Sequence, residues 1–259
     1  MAKYSLRDIK NAYNQKKDWE KQFPVSYYMF RPLSFYIAYI VLRLTTLPSS
    51  VAWVGFSLGL VGCGALLFLK ELSIFPGIVL LILCALSDAV DGNVARTTHS
   101  VTYYGKLLDG LLGAVVEGSY GLFLGLGLYR AEVEFPFMGA LFPGINNRIL
   151  FILTGALFTI SWFFANLVSE SYTNLLRAKE NGTSIENLTA PIQSSTFRNY
   201  GWYKLFINLH AFNLQLLALI ILESIGNTPL FLILWTTYYL VRAFVHFIFY
   251  LKRAQVILS

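Results

Sequence analysis

The chain has 259 residues, of which 56% are hydrophobic, 16% are aromatic and only 13% are charged, and its formal net charge is +6. Soluble domains usually carry about a quarter charged residues, so this composition argues against a soluble domain and indicates an integral membrane protein. No basic stretch is dense enough for a nucleic-acid interface, and we expect the positive charge to set the orientation in the membrane instead. Cys63 and Cys84 lie in apolar runs and are expected to pack, not to form a disulfide bond or a metal site.

Residues 1–47 are predicted to form a cytosolic arm followed by an interfacial helix. Residues 1–23 are polar and basic, which is typical of an amphipathic or loosely helical segment. The apolar run at residues 33–44 is short for a span, which needs about 20 residues, and Arg31 and Arg43 flank or end it. We therefore expect this run to lie along the lipid headgroups. A tilted additional span is the alternative.

Residues 48–259 are predicted to form a transmembrane domain of six helices. The six apolar segments are residues 51–70, 74–96, 103–129, 147–176, 205–224 and 228–251. Each can cross a hydrocarbon core of about 30 Å, and none alternates apolar and polar residues as a membrane strand does. The backbone groups of a lipid-embedded span need internal partners. The sequence therefore predicts an all-α integral membrane protein.

The distribution of charge predicts which side of the membrane the termini face. With six spans both termini lie on one side, together with the turn near residue 100 and the polar loop 177–204. Most of the 20 Lys and Arg residues fall in these segments. The positive-inside rule then places them on the cytoplasmic side, with the adjoining ends of the second and third spans.

The second and third spans carry acidic and small residues that a purely apolar helix does not need. The residues that share one face of the second span at 3.6 residues per turn are Asp88, Asp91, Gly92 and Ala95, with Arg96 following. Those that share one face of the third span are Gly105, Asp109 and Gly113. Because the connection is short, the two helices are predicted to be antiparallel neighbours whose faces meet.

Three carboxylates that converge near the headgroups cannot all remain charged without a cation. Oxygen ligands suit Mg²⁺, Mn²⁺ or Ca²⁺ and do not suit zinc. Gly92, Ala95 and Gly105 leave open volume on the same faces, and Arg96 can pair with a phosphate. The residues thus predict a metal-held diphosphate site that opens to the cytosol. The alternative is an ordinary close contact of two helices through small residues.

At these residues the chain resembles the CDP-alcohol phosphotransferase (CDP-alcohol phosphatidyltransferase) family. The family motif is D-x2-D-G-x2-A-R-x8-G-x3-D-x3-D, and seven of its eight positions match with every spacing kept. The matching residues are Asp88, Asp91, Gly92, Ala95, Arg96, Gly105 and Asp109. The resemblance extends over residues 25–182, and the last two spans add only their hydropathy.

The resemblance implies an enzyme that uses a CDP-alcohol as donor. An acceptor hydroxyl attacks the β-phosphorus and CMP leaves, which gives a phospholipid or a related phosphodiester. It further implies two divalent metals, Mg²⁺ or Mn²⁺, bound by Asp88, Asp91 and Asp109, and a homodimer that works among membrane lipids. The residues that would shape the cytidine diphosphate site are Asp88, Gly92, Ala95, Arg96 and Gly105.

The last aspartate of the family motif falls on Gly113. In the family that acid is thought to bind the second metal and to act as general base for the acceptor hydroxyl, and glycine does neither. Glu117 lies one further helical turn along, rotated by about 40°. It is either a substitute base or an ordinary supporting residue of this helix.

Three interpretations of Gly113 remain open at the level of sequence. The chain is a disabled version of an active enzyme, an enzyme with another base, or a relative that binds a nucleotide lipid without turnover. An ion or solute transporter with an acidic site is the alternative from another functional class. Transporters often place such groups near the midplane between repeats, whereas these acids lie at one membrane edge and no repeat is visible.

Overall fold

The computed structural model describes residues 4–135, 146–179 and 208–257, and every regular element within these ranges is helical. The helices are α1 (Leu6–Glu20), α2 (Arg31–Val41), α3 (Pro48–Leu66), α4 (Leu69–Leu72), α5 (Phe75–Thr97), α6 (Tyr103–Arg130), α7 (Asn147–Lys179), α8 (Phe212–Ser224) and α9 (Thr228–Ile257). A five-residue π-helical segment, Ser26–Phe30, leads directly into α2. The described chain is therefore all-α, as predicted.

Five helices in the described ranges are long and apolar enough to cross a membrane. They are Pro48–Leu66, Phe75–Thr97, Tyr103–Arg130, Arg148–Ser171 and Thr228–Arg253. Large apolar side chains such as Val54 and Val61 on α3 remain exposed at 59% and 60%. Lipid is the solvent in which such an exterior is stable, since apolar surface this extensive is unfavourable in water. The protein is thus an integral membrane protein.

The predicted count of six spans is not confirmed. The expected fifth span, residues 205–224, begins outside the described residues and is interrupted at Ala211, whose backbone is extended. The helix that follows, α8, has 13 residues. At 1.5 Å per residue it is about 20 Å long, shorter than a hydrocarbon core of about 30 Å. A sixth crossing therefore stays a prediction.

Helix α2 and the π-helical segment before it are not among the five described helices that are long and apolar enough to cross a membrane, which disfavours the additional span considered above. Helix α1 packs against α2 and α5 through the buried side chains of Ile9 and Tyr13, which join a core cluster with Phe35 and Val94. The described part of the arm is accordingly a packed helix and not a loose segment. The position of α2 along the lipid headgroups stays a prediction.

Glycines in α6 allow α7 to approach closely. A Cβ atom placed on Gly125 would overlap the carbonyl oxygen of Phe151, and one on Gly155 would lie 2.7 Å from the carbonyl oxygen of Gly121. Small residues of this kind are the usual means by which membrane helices pack. Gly121 and Gly125 are accordingly packing residues of α6.

Candidate active site between helices α5 and α6

A tight turn positions the two motif helices. The chain leaves α5 through His99, whose φ of 53° lies in the left-handed region, and α6 starts after Thr102. The hydroxyl oxygen of Thr102 accepts a hydrogen bond from the N–H of Gly105 at 3.0 Å, so Thr102 is the N-cap of α6. The last turn of α5 and the first turns of α6 are therefore fixed next to each other.

Helix α3 packs extensively against both α5 and α6, whereas α5 and α6 scarcely touch. The two motif helices therefore keep their backbones apart and meet through their side chains, and α3 forms the third wall of the space between them. The pocket that results is lined by Ala52, Gly55 and Phe56 of α3, Cys84, Asp88 and Asp91 of α5, and Asp109, Leu112 and Gly113 of α6. The acidic side chains of the two motif helices meet in this pocket.

Asp88, Asp91 and Asp109 converge in this pocket. One carboxylate oxygen of each lies within 4.8 Å of the corresponding oxygen of the other two. Asp91 is buried, whereas Asp88 and Asp109 are exposed. Three carboxylates at this spacing repel one another strongly unless a cation is present, and an all-oxygen donor set is the one that Mg²⁺ and Mn²⁺ prefer. The residues present therefore fit a divalent metal.

Gly113 faces open space. A Cβ atom built on it would have no heavy atom within 4 Å, apart from its chain neighbours and the nearby backbone of its own helix. Gly113 lines both the aspartate pocket and an adjoining cleft of about 410 Å³. An aspartate at this position would meet no obstacle at its Cβ atom, so the site has room for the carboxylate that the family motif contains.

The adjoining cleft extends from the aspartates towards α7. Its lining residues are Asp88, Asp109, Gly110, Gly113, Ala114, Glu117, Trp162, Phe163, Asn166, Leu167 and Glu170. Glu117, half-buried, thus shares a cleft with Asp88 and Asp109, although it is not part of the close group of three. The sequence did not single out Trp162, Asn166 or Glu170, which lie within the range of the family resemblance but outside its motif.

Most of the residues predicted to bind the nucleotide lie beside the aspartate pocket and do not line it. Gly92, Ala95, Arg96 and Gly105 do not line the aspartate pocket or the adjoining cleft. The guanidinium of Arg96 lies over Gly92, where a Cβ atom would be 3.1 Å from Nη2. Arg96 donates from Nη2 to the amide oxygen of Asn93 at 3.0 Å, and within the described structure its buried Nε has no hydrogen-bond partner. Their role towards a nucleotide stays a prediction.

Arg242 lies within the membrane-spanning part of α9, where a charged side chain needs a polar partner. It is 7% exposed, and its Nη1 lies 2.7 Å from Nδ1 of His210. Its Nη2 donates to the amide oxygen of Asn166 at 3.3 Å. Since arginine remains protonated, His210 must be neutral and accept at Nδ1. Arg242 thereby supports Asn166, which lines the cleft.

Comparison with known proteins agrees with this site. The family profile described as CDP-alcohol phosphatidyltransferase matches residues 40–165, just under half of the chain. The match contains every motif position and helices α3, α5 and α6 in full. No curated protein matches the chain.

The fold is that of an integral membrane protein, and three aspartates meet near the ends of two of its spanning helices. Residues 40–165 match the CDP-alcohol phosphatidyltransferase family, as the motif predicted. Phosphoryl transfer from a CDP-alcohol in phospholipid synthesis is the reaction this family suggests.

Proposed function

We propose that the protein binds a CDP-alcohol at Asp88, Asp91 and Asp109 and directs transfer of its substituted phosphoryl group to an acceptor hydroxyl, with release of CMP. The observation that carries this proposal is the convergence of the three carboxylates within 4.8 Å, at the spacing of the family motif. The charge distribution of the sequence supports a site on the cytoplasmic side. The family resemblance supports a homodimer.

Asp88, Asp91 and Asp109 would hold Mg²⁺ or Mn²⁺, which when bound neutralises the diphosphate and stabilises the leaving CMP. Asp91 is the buried member of the group, so its carboxylate is the most firmly placed of the three. Asp88 and Asp109 are exposed and line both the pocket and the adjoining cleft, so they face the region where donor and acceptor have to meet.

The reaction needs a group that accepts a proton. The acceptor oxygen forms a bond to the β-phosphorus, the bond from that phosphorus to the oxygen of CMP breaks, and the hydroxyl proton passes to a base. The family motif provides this base at position 113, where the chain has glycine and open space. We therefore propose that turnover by this chain is weak or absent. Glu117 is the substitute base if turnover occurs, because it lines the same cleft.

A non-catalytic binder of nucleotide lipids is the second candidate function. The observation in its favour is the same open position at Gly113, next to an otherwise complete set of motif residues. Such a protein would bind the CDP-alcohol and would not release CMP.

Ligand-dependent thermal unfolding of the purified protein in detergent tests the donor site. We expect CDP and CMP to raise the midpoint temperature when Mg²⁺ is present and to have no effect after chelation of the metal. A ligand at about 100 times its Kd stabilises the folded state by about 2.7 kcal/mol. AMP at the same concentration serves as the control. Equal stabilisation by AMP, or none by any cytidine nucleotide, would contradict the proposal and favour the transporter alternative.

A further inference from the structure

An ion pair links the N-terminal helix to the motif helix. Arg31 and Glu20 form a two-pronged pair in which Nε donates to Oε2 at 2.7 Å and Nη2 contacts Oε1. Both side chains are about 5% exposed or less. The hydroxyl of Tyr13 donates to the same carboxylate, and the guanidinium lies 4.9 Å from the centre of the Tyr13 ring. Burial and the neighbouring carboxylate raise the pKa of Tyr13, so its hydroxyl remains a donor.

The remaining nitrogen of Arg31 reaches the motif. Nη1 donates to the carbonyl oxygen of Ala89 and to the amide oxygen of Asn93, each at 3.2 Å. Asn93 is 1% exposed, and its amide nitrogen donates to the hydroxyl of Ser34 at 3.0 Å. The same amide oxygen of Asn93 accepts from Nη2 of Arg96. The amide oxygen of Asn93 thus bridges Arg31, which lies outside the motif, and the motif residue Arg96.

A buried ion pair is a poor source of stability, because the desolvation of two charges offsets most of their attraction. Here the ion pair instead helps to fix the position of Asn93 and, through it, of Arg96. Two guanidinium groups that share one acceptor repel each other, and the carboxylate of Glu20 compensates the charge of Arg31. Arginine is required at position 31, because its planar fork holds Glu20 on one edge and Asn93 on another, which a single ammonium cannot do.

We propose that Glu20, Arg31 and Asn93 act as positioning residues that hold the guanidinium of Arg96 in the orientation in which it binds the diphosphate of the donor. The inference rests on the proposed function and on the expectation from the family motif that Arg96 contacts the nucleotide. It gives the N-terminal helix α1 a role in donor binding, although α1 lies outside the part of the chain that matches the family.

The affinity for CDP in the presence of Mg²⁺, measured by calorimetry in detergent, tests this inference. Arg31→Lys keeps the charge beside Glu20 and removes the fork. We expect it to weaken CDP binding about tenfold, the lower end of what the loss of an outer supporting partner costs. Arg43→Lys is the matched control, because Arg43 is exposed just beyond α2, and we expect its affinity to stay within about twofold of the unaltered protein.

A double-mutant cycle separates positioning from a general structural effect. Arg96→Ala should weaken CDP binding by itself, and adding Arg31→Lys to it should cause no further loss. Losses that multiply in the double variant, unchanged affinity in Arg31→Lys, or unchanged affinity in Arg96→Ala would each overturn the inference.

Folding of each variant is checked by its unfolding midpoint without ligand. If Arg31→Lys does not fold, Glu20→Gln replaces it in the same cycle. Its amide still accepts one hydrogen bond, so a smaller loss with the same dependence on Arg96 is expected. If the unaltered protein shows no Mg²⁺-dependent CDP binding, the proposed function and this inference fall together. Normal binding with an unaffected Arg31→Lys contradicts only the inference.

Discussion

The two halves of helix α6 use glycine for opposite purposes. In the half nearest the turn, Cβ atoms built on Gly110 and Gly113 would have nothing within 4 Å. In the other half, a Cβ atom on Gly125 would overlap the backbone of α7, and one on Gly127 would overlap the backbone of α3. The first half leaves space beside the aspartates, whereas the second half brings helices together. The same residue type therefore marks a site at one end and a packing contact at the other.

Asp91→Asn should have the largest effect on ligand binding. It removes the charge of the buried carboxylate and keeps its shape. Loss of an outer partner of a metal ligand already costs about 10- to 100-fold, so we expect loss of a ligand to weaken Mg²⁺-dependent CDP binding by more than about 100-fold. Calorimetry measures this. Asp18→Asn, on the exposed side of α1, is the control. If Asp91→Asn bound CDP as tightly as the unaltered protein, the aspartates beside the open half of α6 would not be the binding site.

Gly125→Val tests the packed half. The new side chain meets the carbonyl of Phe151, which belongs to the α7 backbone and cannot rotate away. We expect a destabilisation of about 1–3 kcal/mol or more, as for other overpacked cores. The unfolding midpoint in detergent reports it. An unchanged midpoint would mean that α6 and α7 are not held together at this contact.

Gly113→Ala is the counterpart in the open half. The added methyl group has no close neighbour, and alanine favours a helix over glycine by about 1 kcal/mol. The unfolding midpoint should therefore stay the same or rise slightly. A clear fall would show that position 113 is packed, and the distinction between the two halves would be lost.

Glu117→Gln should have the smallest effect on nucleotide affinity. Glu117 shares the cleft but lies outside the group of three carboxylates. We expect CDP affinity to change by less than about threefold, because the charge it removes is not a ligand. A loss as large as that of Asp91→Asn would place Glu117 in the metal site as the substitute for the missing acid.

The convergence of the aspartates was predictable, because a short turn between two helices and a spacing of three and four residues leave little freedom for Asp88, Asp91 and Asp109. The wall supplied by α3 was not, since the residues that form it, Ala52 and Gly55, look like any small residues of an apolar span. The sequence also shows that a carboxylate is missing at position 113. It does not show whether the space is empty, because that depends on long-range packing.

The role of the N-terminal segment was missed for a similar reason. Arg31 and Glu20 precede Asn93 by 62 and 73 residues in the chain, and a polar arm has no periodicity that indicates a buried ion pair. Asn93 occupies an unspecified position of the family motif, so the motif gives it no weight. Only the folded chain places these three side chains together.

The decisive measurement is the release of CMP by this chain and by Gly113→Asp, with Mg²⁺ or Mn²⁺ and a panel of CDP-alcohol donors and hydroxyl acceptors. Gly110→Asp is the control, because it adds the same carboxylate to open space three residues earlier. We expect Gly113→Asp to release CMP with at least one pair of substrates, and the unaltered chain and Gly110→Asp to release little or none. Equal release by the unaltered chain and Gly113→Asp would contradict this expectation.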